Sequence, residues 1–290
     1  MDGILIINKP KEYTSHDVVA KVKKICCEKV GHTGTLDPMA TGVLPLLLGK
    51  GTKLSKYLID HDKIYIATIQ LGKRTDTLDS EGIILEEQNV NELILNEQNV
   101  NSVLKITQGK QIQTPPIYSA IKVNGKKLYE YARKGENVEI PKREIEIYNI
   151  ELLNINKENK TIKFKVHCSK GTYIRTLCDT IAKKLETIGY MKELERIRVG
   201  EFDLNQSITI EDLEENKKNQ EFLNEHIITL QKFFEKYAIL NLEESKLNLF
   251  LNGVQLTKNT PNGLYQVKAN NSVIGIGTVK NKLLKREIIY

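Results

Sequence analysis

Residues Gly31–Leu44, GHTGTLDPMATGVL, set one carboxylate, Asp37, among glycines, threonines and a proline, with no Lys or Arg inside the stretch to pair with it. Local physics offers a plain reading. Asp is a favoured helix N-cap, and Pro is tolerated at the first helical position because its missing N–H would be unpaired there anyway. The other reading is a loop built to present a carboxylate. The two are compatible, since a cap can stiffen a residue that has another task. The GVLPLLLGKGTK that follows fails as a phosphate-cradling loop, because six residues separate Gly42 from Gly49 and Gly51 follows Lys50 where Ser or Thr is needed.

Outward from this loop, Gly3–Asn8 reads as a strand stopped by Lys9-Pro10. Ser15 reads as the N-cap of a helix with Val18, Val19, Val22 and Ile25 on one face. Lys63–Leu71, KIYIATIQL, is apolar on both alternating faces, the pattern of a strand covered on both sides in mid-sheet. On that strand Tyr65 reads as a core aromatic. Asp60, His61 and Asp62 precede it, and adjacent residues on an extended segment point apart, so solvated loop charges fit better than a metal site.

Asn89–Gln108 has a helical pattern. Gln113–Arg143 mixes prolines, tyrosines and many cations, with a short helix at LYEYARK. Ile162–Cys168 alternates as a half-buried strand, and a helix with Ile174, Leu177, Ile181 and Leu185 on one face follows, stopped by Gly189. Arg175 lies at the start of that helix, where a cation opposes the macrodipole. Asp179, four residues on, offers a surface partner, and a buried carboxylate elsewhere is the other choice. Tyr173 carries the same ambiguity. Leu194–Phe202 reads as a further strand, and 203–236 as a polar, helical connection. From Tyr237 the texture changes to a short helix at Leu242–Leu251 and short strands, a small second domain of β type.

Composition narrows the class. With 290 residues, 40% hydrophobic and 28% charged, the chain is long enough for one large domain or two unequal ones. The longest apolar run, Val43–Leu48, is far short of a membrane span and is interrupted by Pro45. The N-terminus lacks the basic region and cleavage site of a secretion signal. Cys26, Cys27, Cys168 and Cys178 form no CxxC pair, which favours free thiols in a reducing cytoplasm over a zinc site or disulfides. A net charge of +6 suits an anionic partner without identifying one.

The chain order GILIINKP, GHTGTLDPMATGVLPLLLGKGTK, DKIYIATIQLGKRTDTLDSEG, PPIYSAIKVNGKKLYEYARKG, HCSKGTYIRTL and LERIRVGEF closely resembles the bacterial tRNA pseudouridine-55 synthases over residues 3–202. The tail weakly resembles the PUA-like domain of that family. The resemblance implies an α+β fold: a mixed-sheet catalytic domain over 1–236, with an RNA-clamping insertion at about 113–143, then a small β-rich PUA-like domain over 237–290. It implies isomerisation of a uridine in the tRNA T-loop without metal or other cofactor. The partner is the T-arm stem-loop, and the enzyme is a cytoplasmic monomer with no membrane association.

By the same resemblance Asp37 is the catalytic aspartate, acting as nucleophile at C1′ or as base toward the 2′-hydrogen. Arg175 holds it ionised. Tyr65 stacks on the target base and is a candidate for helping remove the C5 proton. Tyr173 and Leu194 line the uracil pocket, His32 contacts the distorted T-loop, and Lys9 and Pro10 buttress the pocket floor. An RNA-folding chaperone that has lost catalysis is disfavoured by the intact Asp37, Tyr65 and Arg175. A guide-dependent ribonucleoprotein enzyme is disfavoured by the bacterial-type insertion and the short tail.

Overall fold

The computed structural model describes residues 1–290. The doubly apolar strand Lys63–Leu71 lies inside a ten-stranded mixed sheet, bonded to Thr161–Cys168 on one side and Gly189–Val199 on the other. From edge to edge the order is Ile227–Thr229, Gly3–Lys9, Thr41–Leu48, Gly189–Val199, Lys63–Leu71, Thr161–Cys168, Arg143–Asn156 and Gly109–Gln113. Val30–His32 and Phe202–Asp203 pair off this path. The one parallel step joins Thr41–Leu48 to Gly189–Val199, with Glu195 opposite Thr41 and Arg196 opposite Gly42.

That step explains the last glycine of the opening motif. Gly42 has φ +103°, and a Cβ there would lie 2.2 Å from the Arg196 carbonyl oxygen. Only a residue without a side chain lets the two strands approach this closely.

Both sheet faces are covered, as the period-2 alternation of a strand requires. Along Gly3–Lys9, Leu5 and Ile7 pack with Val18 and Val22 of the helix Ser15–Cys26, while Ile4 and Ile6 pack on the other side with Phe233 and Phe234. The largest cluster joins Ala67, Ile69, Phe164 and Met191 to Leu177 and Ile181 of the helix Ile174–Lys184. A second, five-stranded sheet is formed by Ile239–Asn241, Gly263–Ala269, Ser272–Lys280, Leu283–Ile289 and Leu256–Thr257. It is not free-standing: Ile276 and Ile288 share one buried cluster with Phe202, Phe233 and Phe234. No helix is long and apolar enough to cross a membrane.

Several local expectations are corrected. Thr14, not Ser15, caps the first helix, in a capping box with Asp17. Ser15 is buried instead, its hydroxyl accepting from the Leu36 N–H at 2.8 Å and donating to the Leu36 carbonyl at 3.2 Å. No helix follows Asp37-Pro38; the Ala40 N–H bonds the Asp37 carbonyl and closes a turn. Pro45 does not break its segment, because it falls between the stretches of Thr41–Leu48 where a second neighbour pairs, at 41–42 and 46–48. Asn89–Gln108 contains a short turn at Glu92–Ile94 and then a helix, Glu97–Thr107, capped by Asn96. The connection 203–236 supplies the edge strand Ile227–Thr229 and so belongs to the main sheet.

Candidate active site

Asp37 is held from two sides. Ser15 grips the backbone of Leu36 before it, and Lys9 grips the residue after it. Lys9 is fully buried, and its Nζ donates to the carbonyls of Pro10 at 2.8 Å, Tyr13 at 2.5 Å and Pro38 at 3.1 Å. Burial pushes the Lys9 ammonium down to about 8, opposed by the charge of Asp37. This clamp ties the end of the first strand to the Asp37-Pro38 turn, so the loop is a fixed mount for one carboxylate.

Arg175 supplies the charge that the loop lacks. Its Nη2 donates to Asp37 Oδ1 at 3.1 Å, and its Nε lies 3.1 Å from Oδ2. The same guanidinium reaches Asp79, with Nη1 at 3.4 Å from Oδ2, and donates to the carbonyls of Thr77 at 3.2 Å and Tyr118 at 3.0 Å. Asp179, the local alternative, pairs with Lys183 at 2.7 Å instead. Arg175 is therefore a buried hub between two carboxylates, bonded also to the Gln113–Arg143 insertion through Tyr118. Asp79 is fixed in turn by the Thr77 hydroxyl at 2.6 Å and the Glu81 N–H at 3.1 Å.

Burial raises the Asp37 carboxyl above the usual carboxylate range; Arg175 pulls it back, and the nearby Asp79 pushes it up again. A reaction that needed this carboxylate ionised would fail on acidification earlier than one served by an ordinary carboxylate, whose pKa is about 3.9. Removing the repulsion should move the acid limb the other way. Asp79→Asn should shift the acidic limb of the single-turnover rate to lower pH, while weakening the hold on Arg175 lowers the plateau. An unmoved limb would show that the two carboxylates do not interact.

A cavity of about 690 Å³ opens over this group, lined by Asp37, Tyr65, Tyr173, Arg175 and Leu194 among others. Tyr65 sits on its central strand opposite Val166 and Arg196, 8% exposed. Burial pushes its phenol up, so it enters any reaction neutral. The Tyr173 backbone is pinned both ways by Gln113, whose Oε1 accepts from its N–H at 2.8 Å and whose Nε2 donates to its carbonyl at 3.0 Å. The Arg143 guanidinium covers the Tyr173 ring at 5.6 Å.

His32, Lys9 and Pro10 are not among the lining residues. Lys9 and Pro10 stand behind the Asp37 loop. His32 lies beside it, half-buried, its Nδ1 accepting from the Gly34 N–H at 3.3 Å, with burial and then Arg196 pushing its pKa down. Asp60 pairs with Lys170 at 2.6 Å and Asp62 bonds His167, so those loop acids already have side-chain partners. Residue-level reading gave no role to Asp79, Gln113 or Arg196. The available signal for Asp79 was a turn rich in acids, TDTLDSEG, directly after the central strand.

Both the sequence and the fold match known proteins. Residues 22–174 match the profile described as TruB family pseudouridylate synthase (N terminal domain), and residues 175–249 match the tRNA pseudouridylate synthase B C-terminal domain. The tRNA pseudouridine synthase B of Clostridium tetani is 44% identical, covering 96% of this chain and 95% of that one. That of Caldanaerobacter subterraneus is 42% identical, covering 100% and 99%. Among solved structures, a chain of a Cbf5-Nop10-Gar1 complex superposes with a TM-score of 0.72 at 27% identity, covering 99% of this chain and 84% of that one. The chain belongs to the TruB family of pseudouridylate synthases.

Proposed function

We propose that this chain isomerises uridine to pseudouridine in tRNA, at position 55 of the T-loop, acting without a guide RNA. The observation that carries the reading is one carboxylate, Asp37, held by Arg175 at the floor of a pocket walled by Tyr65, Tyr173 and Leu194. A flat base fits between such aromatic and apolar walls. A stacked nucleotide must be flipped out to reach them, at a cost of a few kcal/mol. The 40–45% identity to relatives named tRNA pseudouridine synthase B supports tRNA as the substrate.

Asp37 acts at the sugar, as nucleophile at C1′ or as base at C2′, and Arg175 keeps its charge available. Tyr65, neutral in the fold, stacks on the base; removal of the C5 proton by its phenolate would first require loss of its own proton. Leu194 and Tyr173 form the remaining walls. His32 lies outside the pocket, where the rest of the T-loop would pass. Lys9 and Pro10 act from behind, by holding the Asp37 loop.

The segment 113–143 serves as the RNA clamp. Lys122, Lys126, Lys127, Arg133, Lys134, Lys142 and Arg143 give it its cations, and Tyr118 ties it to Arg175. The division into a catalytic part, 1–236, and a PUA-like part, 237–290, is a functional one, because the two share a buried cluster. The test uses the purified chain alone with an unmodified tRNA transcript. Pseudouridine mapped at base resolution should occur at position 55 and vanish when that uridine is replaced. Modification spread over other uridines, or none, would overturn the reading.

A further inference from the structure

Two cations in the pocket have no part in the roles above. Lys63 begins the central strand two residues before Tyr65, which puts both side chains on one face; it is 8% exposed and lines the same cavity. Arg196 pairs across the strands with Tyr65, is 1% exposed and also lines the cavity. Every hydrogen-bond partner of these two is neutral, the Tyr65 hydroxyl beside Arg196 included. Lys63 Nζ donates to His61, Arg196 Nε to Val43 at 2.8 Å, and Arg196 Nη2 to Gly34 at 3.1 Å.

The nearby carboxylates are engaged elsewhere. Asp37 and Asp79 face Arg175, and Asp62 faces His167 and Arg198. Carbonyls orient a cation without cancelling its charge, and buried charge without a counter-ion is costly. Burial, then the charge of Arg196, pushes the Lys63 ammonium down to about 8, against Cys168, Asp62 and Asp60. Uncompensated positive charge beside the base-stacking walls points to negative charge that arrives with the substrate.

Isomerisation creates that charge. When the N1–C1′ bond breaks heterolytically, its electron pair stays on N1, and the ring becomes a uracil anion with charge spread over N1, O2 and O4. C1′ is either captured by the Asp37 carboxylate or compensated by loss of the 2′ proton to it. C5 then bonds C1′ as the Asp37 carboxylate leaves it or, on the other route, as Asp37 returns the proton to C2′, and the proton on C5 goes to water. Electrons balance, and no proton moves at Lys63. We propose that Lys63 is a further catalytic residue, whose ammonium, backed by the buried guanidinium of Arg196, holds the detached uracil anion until the C5–C1′ bond forms. A backbone phosphate would also satisfy the charge, but Lys63 and Arg196 lie at the depth of Tyr65 and Leu194, where the base goes rather than the strand.

The inference rests on the isomerase reading of the pocket, and the test separates the two. Lys63→Met and Lys63→Arg are prepared in the full chain and compared with the parent on a T-arm stem-loop, for dissociation constant, single-turnover rate and thermal midpoint. Loss of one preorganised charge at a developing anion costs about 100-fold in rate. Lys63→Met should show that loss with near-parent binding and a midpoint no lower than the parent's, since an uncompensated buried charge has been removed.

Lys63→Arg should recover most of the rate. It should also lessen the expected decline above pH about 8, leaving the share owed to Lys9, whose ammonium is likewise pushed down to about 8. A Lys63→Met rate close to the parent's overturns the inference. So does a loss confined to binding, with a salt slope shallower by about 0.7, which would make Lys63 a phosphate contact. A parent that forms no pseudouridine overturns the isomerase reading and this inference together; an active parent with an equally active Lys63→Met overturns this inference alone.

Discussion

Asp37→Asn should fold, bind the T-arm and leave uridine almost unchanged, with turnover reduced by about 10⁴-fold, the scale seen when a group acting in the chemistry is disabled in place. The amide keeps the size and shape of the side chain and removes only the charge. An amide can neither bond C1′ nor take the 2′ proton. The fold should tolerate it because burial already holds the Asp37 carboxyl above its ordinary range, so a neutral side chain suits the site. Arg175 keeps Asp79 and the Thr77 and Tyr118 carbonyls. Binding should survive because the walls and the cationic insertion are untouched. Fresh protein and an Asp37→Ala control guard against deamidation that would restore the carboxylate. Substantial turnover by both variants would reduce Asp37 to a turn residue.

Arg175→Met should damage both fold and reaction. The guanidinium is the only cation within ion-pair range of Asp37 and Asp79, and its side chain is 7% exposed. Removing it leaves two carboxylates facing each other in a poorly solvated site, and breaking a buried ion pair from one side costs about 3–5 kcal/mol. The Asp37 carboxyl, already raised, should rise further once its main opposing influence is gone. The sign follows: the variant loses stability as pH rises through the carboxylate range, where the pair is forced to ionise, and regains part of it on acidification. Thermal midpoints measured from about pH 4 to pH 8 read this directly. A midpoint equal to the parent's across the range would show that Arg175 does not hold the two acids. Double substitution Arg175→Met with Asp79→Asn should recover stability but not activity.

What the sequence made legible is what depends on neighbours along the chain. The two-faced apolarity of KIYIATIQL placed that strand in mid-sheet, and LYEYARK became the helix Leu128–Lys134. Failures came where the deciding partner is remote. Asp37-Pro38 carries a local helix-start signal, yet Lys9, Ser15 and Arg175, from three separate segments, fix it as a turn. Arg175 has an acid four residues on, but its partners lie at Asp37 and Asp79, brought near by the fold. Ser15 and Thr14 are both acceptable caps, and only the burial of Ser15 against Leu36 decides between them.

The resemblance of the ordered motifs singled out Asp37, Tyr65 and Arg175, which residue-level reading left ambiguous and which the fold brings to one cavity. Lys63 and Arg196 stayed silent in both, because a basic residue in a strand reads as solvent-facing until its neighbours are known.

The most direct test of the account follows the atom that isomerisation must release. In pseudouridine the carbon that bore hydrogen, C5, is bonded to the sugar. A T-arm stem-loop carrying tritium at C5 of the target uridine should therefore lose it to water in step with product. With the purified chain as the only macromolecule besides the RNA, tritium release should match pseudouridine formed, and Asp37→Asn should release essentially none while binding the same RNA. Absence of release by the parent, or release by Asp37→Asn at the parent rate, would contradict the account.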